Sequence, residues 1–182
     1  MNKSEENYDL KLLGPEHFKE LINWHFDEDR YEYFTCRPVP DSHNREEFVR
    51  KLFDSLSNNS RKNFVLVLKS EPDIPLGKIN LFDYNPRNHS AEFGYYFPKD
   101  SRNKGFGSIM LRKFLKEAFE NGELNINKLY ATTASNNYAS IKLLEKFGLN
   151  LDGKMREHYW IGDEKFDQLV FSILRAEWEK FL

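Results

Sequence analysis

A single cysteine, Cys36, stands among the 182 residues, so no disulfide can form within the chain. With no recognisable motif around it, that thiol reads as a small packing residue and not as a nucleophile. Basic residues do not outnumber acidic ones, 27 against 29. A net charge of −2 lacks the excess that binding to a phosphodiester backbone exploits, which argues against a nucleic acid partner. No apolar run is long enough to span a membrane, and the polar stretch Met1–Asn7 does not resemble a signal peptide. None of the five histidines falls at a metal-ligand spacing with Cys36 or a carboxylate, so no metal is expected. Repeats, low-complexity tracts and linkers are also missing. These absences predict one domain over residues 1–182 in a reducing, cytoplasmic setting, with no membrane or nucleic acid among its partners.

What is present is material for a core: 40% of the residues are apolar and 15% aromatic. Alternation over Tyr8–Leu13 predicts a strand, and Pro15 opens a helix with Phe18, Leu21 and Ile22 on one face. A charged, aromatic stretch from Asp27 to Asn44 carries Pro38 and Pro40 as breakers. Asn44-Arg-Glu-Glu47 then offers a capping box for a helix bearing Phe48, Leu52, Phe53 and Leu56. Strands are predicted at Phe64–Leu68, at Leu76–Phe82 after a turn at Glu71–Pro75, and at Ala91–Phe97. A polar, glycine-bearing loop follows Pro98. The next helix presents Met110, Leu111, Phe114, Leu115, Ala118 and Phe119 as a broad apolar stripe. Leu129–Thr133 predicts a strand and Tyr138–Phe147 a helix. Lys154–Ile161 and Phe166–Leu174 predict a hairpin around Gly162-Asp163, and a last helix follows. The succession is that of an α+β fold with a mixed, mostly antiparallel sheet flanked by helices.

The most informative segment is Arg102-Asn103-Lys104-Gly105-Phe106-Gly107, which spells R-x-x-G-x-G between a predicted strand and helix, with Ser108 next. Glycines let a backbone approach a diphosphate without a Cβ in the way. Consecutive N–H groups at a helix N-terminus point where the macrodipole favours negative charge. A plain strand-to-helix turn needs the same permissive dihedrals and stays open on these residues alone. A dinucleotide fingerprint does not fit, because Met110 occupies the place of its third glycine.

This R-x-x-G-x-G loop, following Glu92-Phe-Gly-Tyr95, resembles the acetyl-CoA loop of the GNAT superfamily of N-acetyltransferases. Asn137-Tyr-Ala-Ser140 and Glu145-Lys-Phe-Gly148 are similar to the N-x-x-S…E-K-x-G segment of the branch that acetylates N-terminal amines of ribosomal proteins. The resemblance implies acetyl-CoA as cosubstrate, held by Tyr96, Phe97, Arg102, Asn103, Lys104, Gly105, Phe106, Gly107, Ser108, Asn137 and Ser140. It further implies Glu92 as base, a bulge that frees a main-chain N–H at Tyr95 or Tyr96 to polarise the acetyl carbonyl, and Ser140 as hydrogen-bond donor to the departing sulfur. Leu144 aligns with a tyrosine that serves many relatives as acid, so this chain departs from the common pattern there. The acceptor implied is a primary amine: a protein N-terminus, or a small molecule such as a polyamine, amino sugar or antibiotic. A homodimer is the assembly implied.

Each implied role has a bland counterpart in the residues themselves. Glu92 can be an exposed strand carboxylate, since alternation does not fix its face. Ser140 can simply occupy a first helical turn, and Asn137 can cap it. His158 and Trp160 read as packed strand residues near the acceptor side. Asp27-Glu-Asp29 with Glu32 reads as a solvated face or as a lure for a cationic acceptor. A non-catalytic acyl-CoA sensor is the reading from another class, suggested by Leu144.

Overall fold

The computed structural model describes residues 5–28, 44–57, 61–121 and 124–181. Among them lie seven strands: β1 (Tyr8–Leu12), β2 (Lys62–Leu68), β3 (Glu71–Asn85), β4 (Ser90–Tyr96), β5 (Lys128–Ala134), β6 (Asn150–Ile161) and β7 (Glu164–Leu174). The α-helices are α1 (Phe18–Asp27), α2 (Arg45–Leu56), α3 (Phe106–Lys116), α4 (Tyr138–Lys146) and α5 (Arg175–Phe181). Strands are hydrogen-bonded in the order β1-β2-β3-β4-β5-β7-β6. Pairing is antiparallel for β1–β2, β2–β3, β5–β7 and β6–β7, and parallel for β4–β5, which gives the mixed, mostly antiparallel α+β sheet expected. The chain divides into two compact units. Among the described residues, the first draws on 5–28, 44–83 and 95–114, and the second on 84–94 and 115–181.

In the first unit, Pro15 opens a 3-10 turn, Pro15–His17, that runs into α1. Its fixed φ suits a helix start, where a missing N–H costs nothing. Phe18, Leu21, Ile22 and Trp24 of α1 are buried with Leu52, Val65, Val67 and Tyr96, each contributing about 1.5–3 kcal/mol of hydrophobic stabilisation. Asn44 caps α2 through its side-chain oxygen, which accepts from the N–H groups of Glu46 and Glu47. The stripe on α2 is only partly enclosed: Leu52 is buried, whereas Phe53 and Leu56 are exposed. Residues 29–43, which include the breakers Pro38 and Pro40, lie outside the described residues.

The turn expected at Glu71–Pro75 lies instead within β3, and the chain reverses at residues 69–70. Val67 pairs with Pro75 but Leu68 with Glu71, so three residues bulge out of the ladder. A bulge is where a strand tolerates prolines that cannot donate to the ladder. The freed Pro72 carbonyl lies 3.2 Å from His17 Nε2, while His17 Nδ1 accepts from the Gly14 N–H at 3.0 Å. This wholly buried histidine is a structural tie.

The predicted stripe on α3 is buried throughout, with Met110, Leu111 and Phe114 in the first unit and Leu115, Ala118 and Phe119 in the second. After Lys116 the helix widens into a π-helical turn, Glu117–Asn121. Arg175, at the start of α5, donates to the carbonyls of Phe119 and Ile126 and so ties this turn to the segment that precedes β5.

In β6 the register with β7 passes from Met155↔Gln168 to Tyr159↔Phe166, so residues 156–158 bulge, and Glu157 adopts a φ of 51°. The bulge shifts the alternation. Tyr159 and Ile161 turn inward against Ala134, while His158 is exposed and Trp160 is 67% exposed. The expectation that His158 and Trp160 are packed is thereby corrected. The Trp160 ring instead lies under the Lys165 ammonium, 5.2 Å from its centroid.

Candidate active site

In the first unit, β4 ends at Tyr96 and the chain turns through Phe97 and Pro98 into a 3-10 turn, Lys99–Ser101, before the glycine loop and α3. Asn103 has φ 59° and Gly105 φ 82°, two left-handed residues flanking Lys104. Asn tolerates that region and glycine enters it without steric cost. The alternation turns successive main-chain N–H groups towards one side, as in an anion-binding nest. Among the described residues, no hydrogen bond engages the N–H groups of Asn103, Lys104 or Gly105. At the start of α3 the Ser108 N–H turns back to the Gly105 carbonyl at 3.1 Å. A Cβ built on Gly105 meets nothing within 4 Å, so open space lies over the loop where that atom would stand. An unpartnered row of amides beneath open space, at the positive end of a helix dipole, fits a diphosphate.

Side chains that fix this loop come from several elements. Arg102 donates through Nε to the Phe97 carbonyl at 2.9 Å and through Nη2 to Glu28 Oε2 at 2.5 Å. Its guanidinium also lies 5.7 Å from the Tyr96 ring centroid. Tyr96 donates its hydroxyl to the same Glu28 oxygen at 2.9 Å. The Glu28 side chain is only 4% exposed. Glu28 therefore belongs neither to a solvated face nor to an open lure for cations, and both of those readings are corrected at this residue. Phe97 lies over Gly77 of β3, where a Cβ would come within 2.3 Å of its ring. Phe106 packs its ring 5.6 Å from that of Tyr8. Lys78 of β3 is half-buried, with Nζ 5.7 Å from the Tyr96 ring centroid. Burial, and after it the neighbouring Arg61, lower its ammonium pKa to about 8.

In the second unit, the ladder between β4 and β5 covers only Ser90–Glu92 against Lys128–Tyr130, although β4 runs on to Tyr96 and β5 to Ala134. At the point where that ladder stops, Glu92 is half-buried and accepts a hydrogen bond from Thr132 Oγ1 at 3.2 Å. Along β4, Ala91 and Phe93 are buried, and of the two residues that belong to the first unit Tyr95 is half-buried and Tyr96 buried. The alternation thus changes phase after Gly94, as an inserted residue would make it do. Asn137 caps α4, accepting from the Ser140 N–H at 3.2 Å, so its capping role is present. Ser140 is half-buried in the first turn of α4, and Leu144 is wholly enclosed.

The structure therefore gathers Tyr95, Tyr96, Phe97 and Arg102–Ser108 in one unit and places Glu92, Asn137 and Ser140 in the other. Sequence reasoning missed Glu28, Thr132 and Lys78 as neighbours of these residues. Nothing in the sequence set Glu28 apart from its acidic neighbours Asp27 and Asp29. Among the described residues no three His, Cys, Asp or Glu side chains come together as a metal site, and no helix is long and apolar enough to cross a membrane.

Comparison with known proteins bears directly on this loop and helix. A family model described as an acetyltransferase (GNAT) domain matches residues 9–150. The N-acetyltransferase YnaD of Bacillus subtilis (strain 168), itself uncharacterised, is 26% identical over 152 residues, covering 81% of this chain and 87% of that one. YdaF of the same organism, whose name describes it as a candidate ribosomal N-acetyltransferase, is 32% identical over 103 residues, 57% of this chain and 55% of that one. Among solved structures, spermidine N-acetyltransferase from Vibrio cholerae, in complex with CoA and spermine, superposes with a TM-score of 0.83. It is 20% identical, and the match covers 96% of this chain and 99% of that one. With the family model matched over residues 9–150, most of its length, the chain belongs to the GNAT family and is an acetyl-CoA-dependent N-acetyltransferase.

Proposed function

We propose that the chain acetylates the α-amine of a protein N-terminus by direct attack, as a single domain in the cytoplasm, with a homodimer as its assembly. Acetyl-CoA supplies an acetyl thioester. The loop Arg102–Ser108 meets its diphosphate, with Asn103–Gly105 offering main-chain donors at the start of α3, and Tyr96, Phe97 and Asn137 complete its binding residues. A main-chain N–H at Tyr95 or Tyr96 polarises the carbonyl where β4 changes phase. Glu92, steadied by Thr132, takes the proton of the incoming amine directly or through water. The Ser140 hydroxyl donates to the departing sulfur, because Leu144 has no proton to give. No covalent enzyme intermediate enters the scheme.

The observation that carries the choice of acceptor is the charge around Tyr96. Lys78 and Arg102 lie over its ring, and the nearby Glu28 carboxylate is enclosed and already bonded twice. A polycation gains little from such surroundings, whereas a peptide N-terminus brings one amine. An α-amine near pKa 7.7–8.0 also forfeits only about 1 kcal/mol to reach its neutral form at pH 7, against roughly 4–5 kcal/mol for an alkyl amine near 10.4. A polyamine, as in the Vibrio cholerae enzyme of the same fold, is the second reading.

Thiol release from acetyl-CoA tests both readings with short peptides, spermidine and an amino sugar as acceptors. Peptides are expected to turn over best; spermidine turning over while peptides do not would replace the proposal with the second reading. Glu92→Gln is expected to lower turnover about 10²-fold or more, and further for a high-pKa amine than for an α-amine. Equal loss with both amines removes Glu92 as the base.

A further inference from the structure

We propose that Glu28 is a positioning residue for cosubstrate binding. By holding the Arg102 guanidinium against Tyr96 and the Phe97 carbonyl, it presets the turn through Asn103–Gly105, so that the diphosphate meets main-chain amides and not the arginine. The inference rests on the reading that this loop holds acetyl-CoA. Arg102 is engaged by its Nε bond to the Phe97 carbonyl, its Nη2 bond to Glu28, and its position over the Tyr96 ring. Swinging it onto a phosphate would leave the Glu28 carboxylate, 4% exposed, without its cation although still bonded to the Tyr96 hydroxyl, and would take the Arg102 Nε–H from the Phe97 carbonyl. Leaving a buried carboxylate without its cation is more costly than the contact a half-exposed arginine gains at a solvated phosphate. The same pair anchors the loop at its base. Arg102 immediately precedes Asn103, whose φ of 59° begins the left-handed alternation, and Lys99, three residues earlier, donates to the Asp27 carbonyl at 3.2 Å. The end of α1 therefore grips the cradle at two points, and Glu28 supplies the charged one.

Calorimetric titration with CoA of the wild type, Glu28→Gln, Arg102→Gln and the double variant decides the matter, with turnover measured alongside. Each single substitution is expected to weaken CoA about tenfold, and the double variant by the same factor, because both remove one unit. KM for acetyl-CoA should rise with kcat at saturation held within about twofold, a split that general loosening of the fold does not give. Arg102→Lys should not restore affinity, since an ammonium cannot hold Phe97 and Glu28 together. Tyr96→Phe keeps the ion pair and removes one bond to Glu28; it should weaken CoA about two- to threefold, and it serves if Glu28→Gln fails to fold. The proposal is overturned if Glu28→Gln binds CoA as well as the wild type, or more tightly, while Arg102→Gln loses affinity, the pattern of a guanidinium that grips phosphate. It is equally overturned if neither substitution matters. A wild type that does not bind CoA at all removes the underlying reading of the loop as well.

Discussion

Replacing Lys78 by Met should make the protein more stable, by an amount that depends on pH. The Lys78 ammonium is half-buried on β3, close to the Tyr96 ring and near the like charge of Arg61. Desolvation, with Arg61 adding to it, lowers its pKa from 10.5 to about 8. The unfolded chain therefore binds this proton more tightly than the folded one. Between about pH 8 and 10.5 the unfolded state carries more protons, so stability rises with pH across that window; below it the folded state bears the full cost of the buried charge. A shift of that size corresponds to about 3 kcal/mol at pH 7, reduced by about 0.5–1 kcal/mol for the cation–π contact that Met gives up. Met fills similar volume with no charge to desolvate. Urea titrations of wild type and Lys78→Met at pH 7, 8, 9 and 10 give the difference directly. The variant should be more stable by roughly 2–3 kcal/mol at pH 7, and the gap should shrink steadily towards pH 10. A variant less stable at pH 7, or a gap independent of pH, would show that the ammonium is not disfavoured there and refute the reasoning.

Gly105→Ala should cost about 1 kcal/mol of stability, because φ there is 82° and the new methyl meets no protein atom. Its affinity for acetyl-CoA should fall by more than tenfold, measured by titration calorimetry, and an unchanged affinity in the folded variant would remove the cradle. Ser140→Ala should lower kcat about tenfold without moving KM for acetyl-CoA, and the loss should vanish with a thioester whose leaving thiol has a low pKa.

The glycine loop was readable because its chemistry is local: a polar run with Gly105 and Gly107 sits between an apolar strand and a helix with a clear stripe. The same holds for the Asn44 cap, whose partners are two and three residues away. Glu28 was not readable, since its arginine is 74 residues distant and a carboxylate in a helix-end charge run is ordinarily solvated. Prolines misled at Pro72 and Pro75, because a bulge takes up Pro72 and Pro75 pairs with Val67 at its edge, both inside a strand. Alternation failed at His158 and Trp160 for a related reason, because the bulge in β6 changed which residues face inward. Nor could any pattern of residue types announce that the β4–β5 ladder stops at Glu92.

That second bulge bears on how the protein behaves in a crowd. β6 ends the strand order, so one of its margins is a possible template for a foreign strand. Leu151, Met155 and Trp160 along it are apolar and uncovered, which makes the hazard real. Yet the chain kinks at Glu157, and Lys154, Glu157, Lys165 and Asp167 form ion pairs around the kink. An incoming segment would find no straight row of amides longer than a few residues and would have to break those charges to lie flat. The irregularity that hid two residues from the sequence reading thus guards against fibre-like stacking.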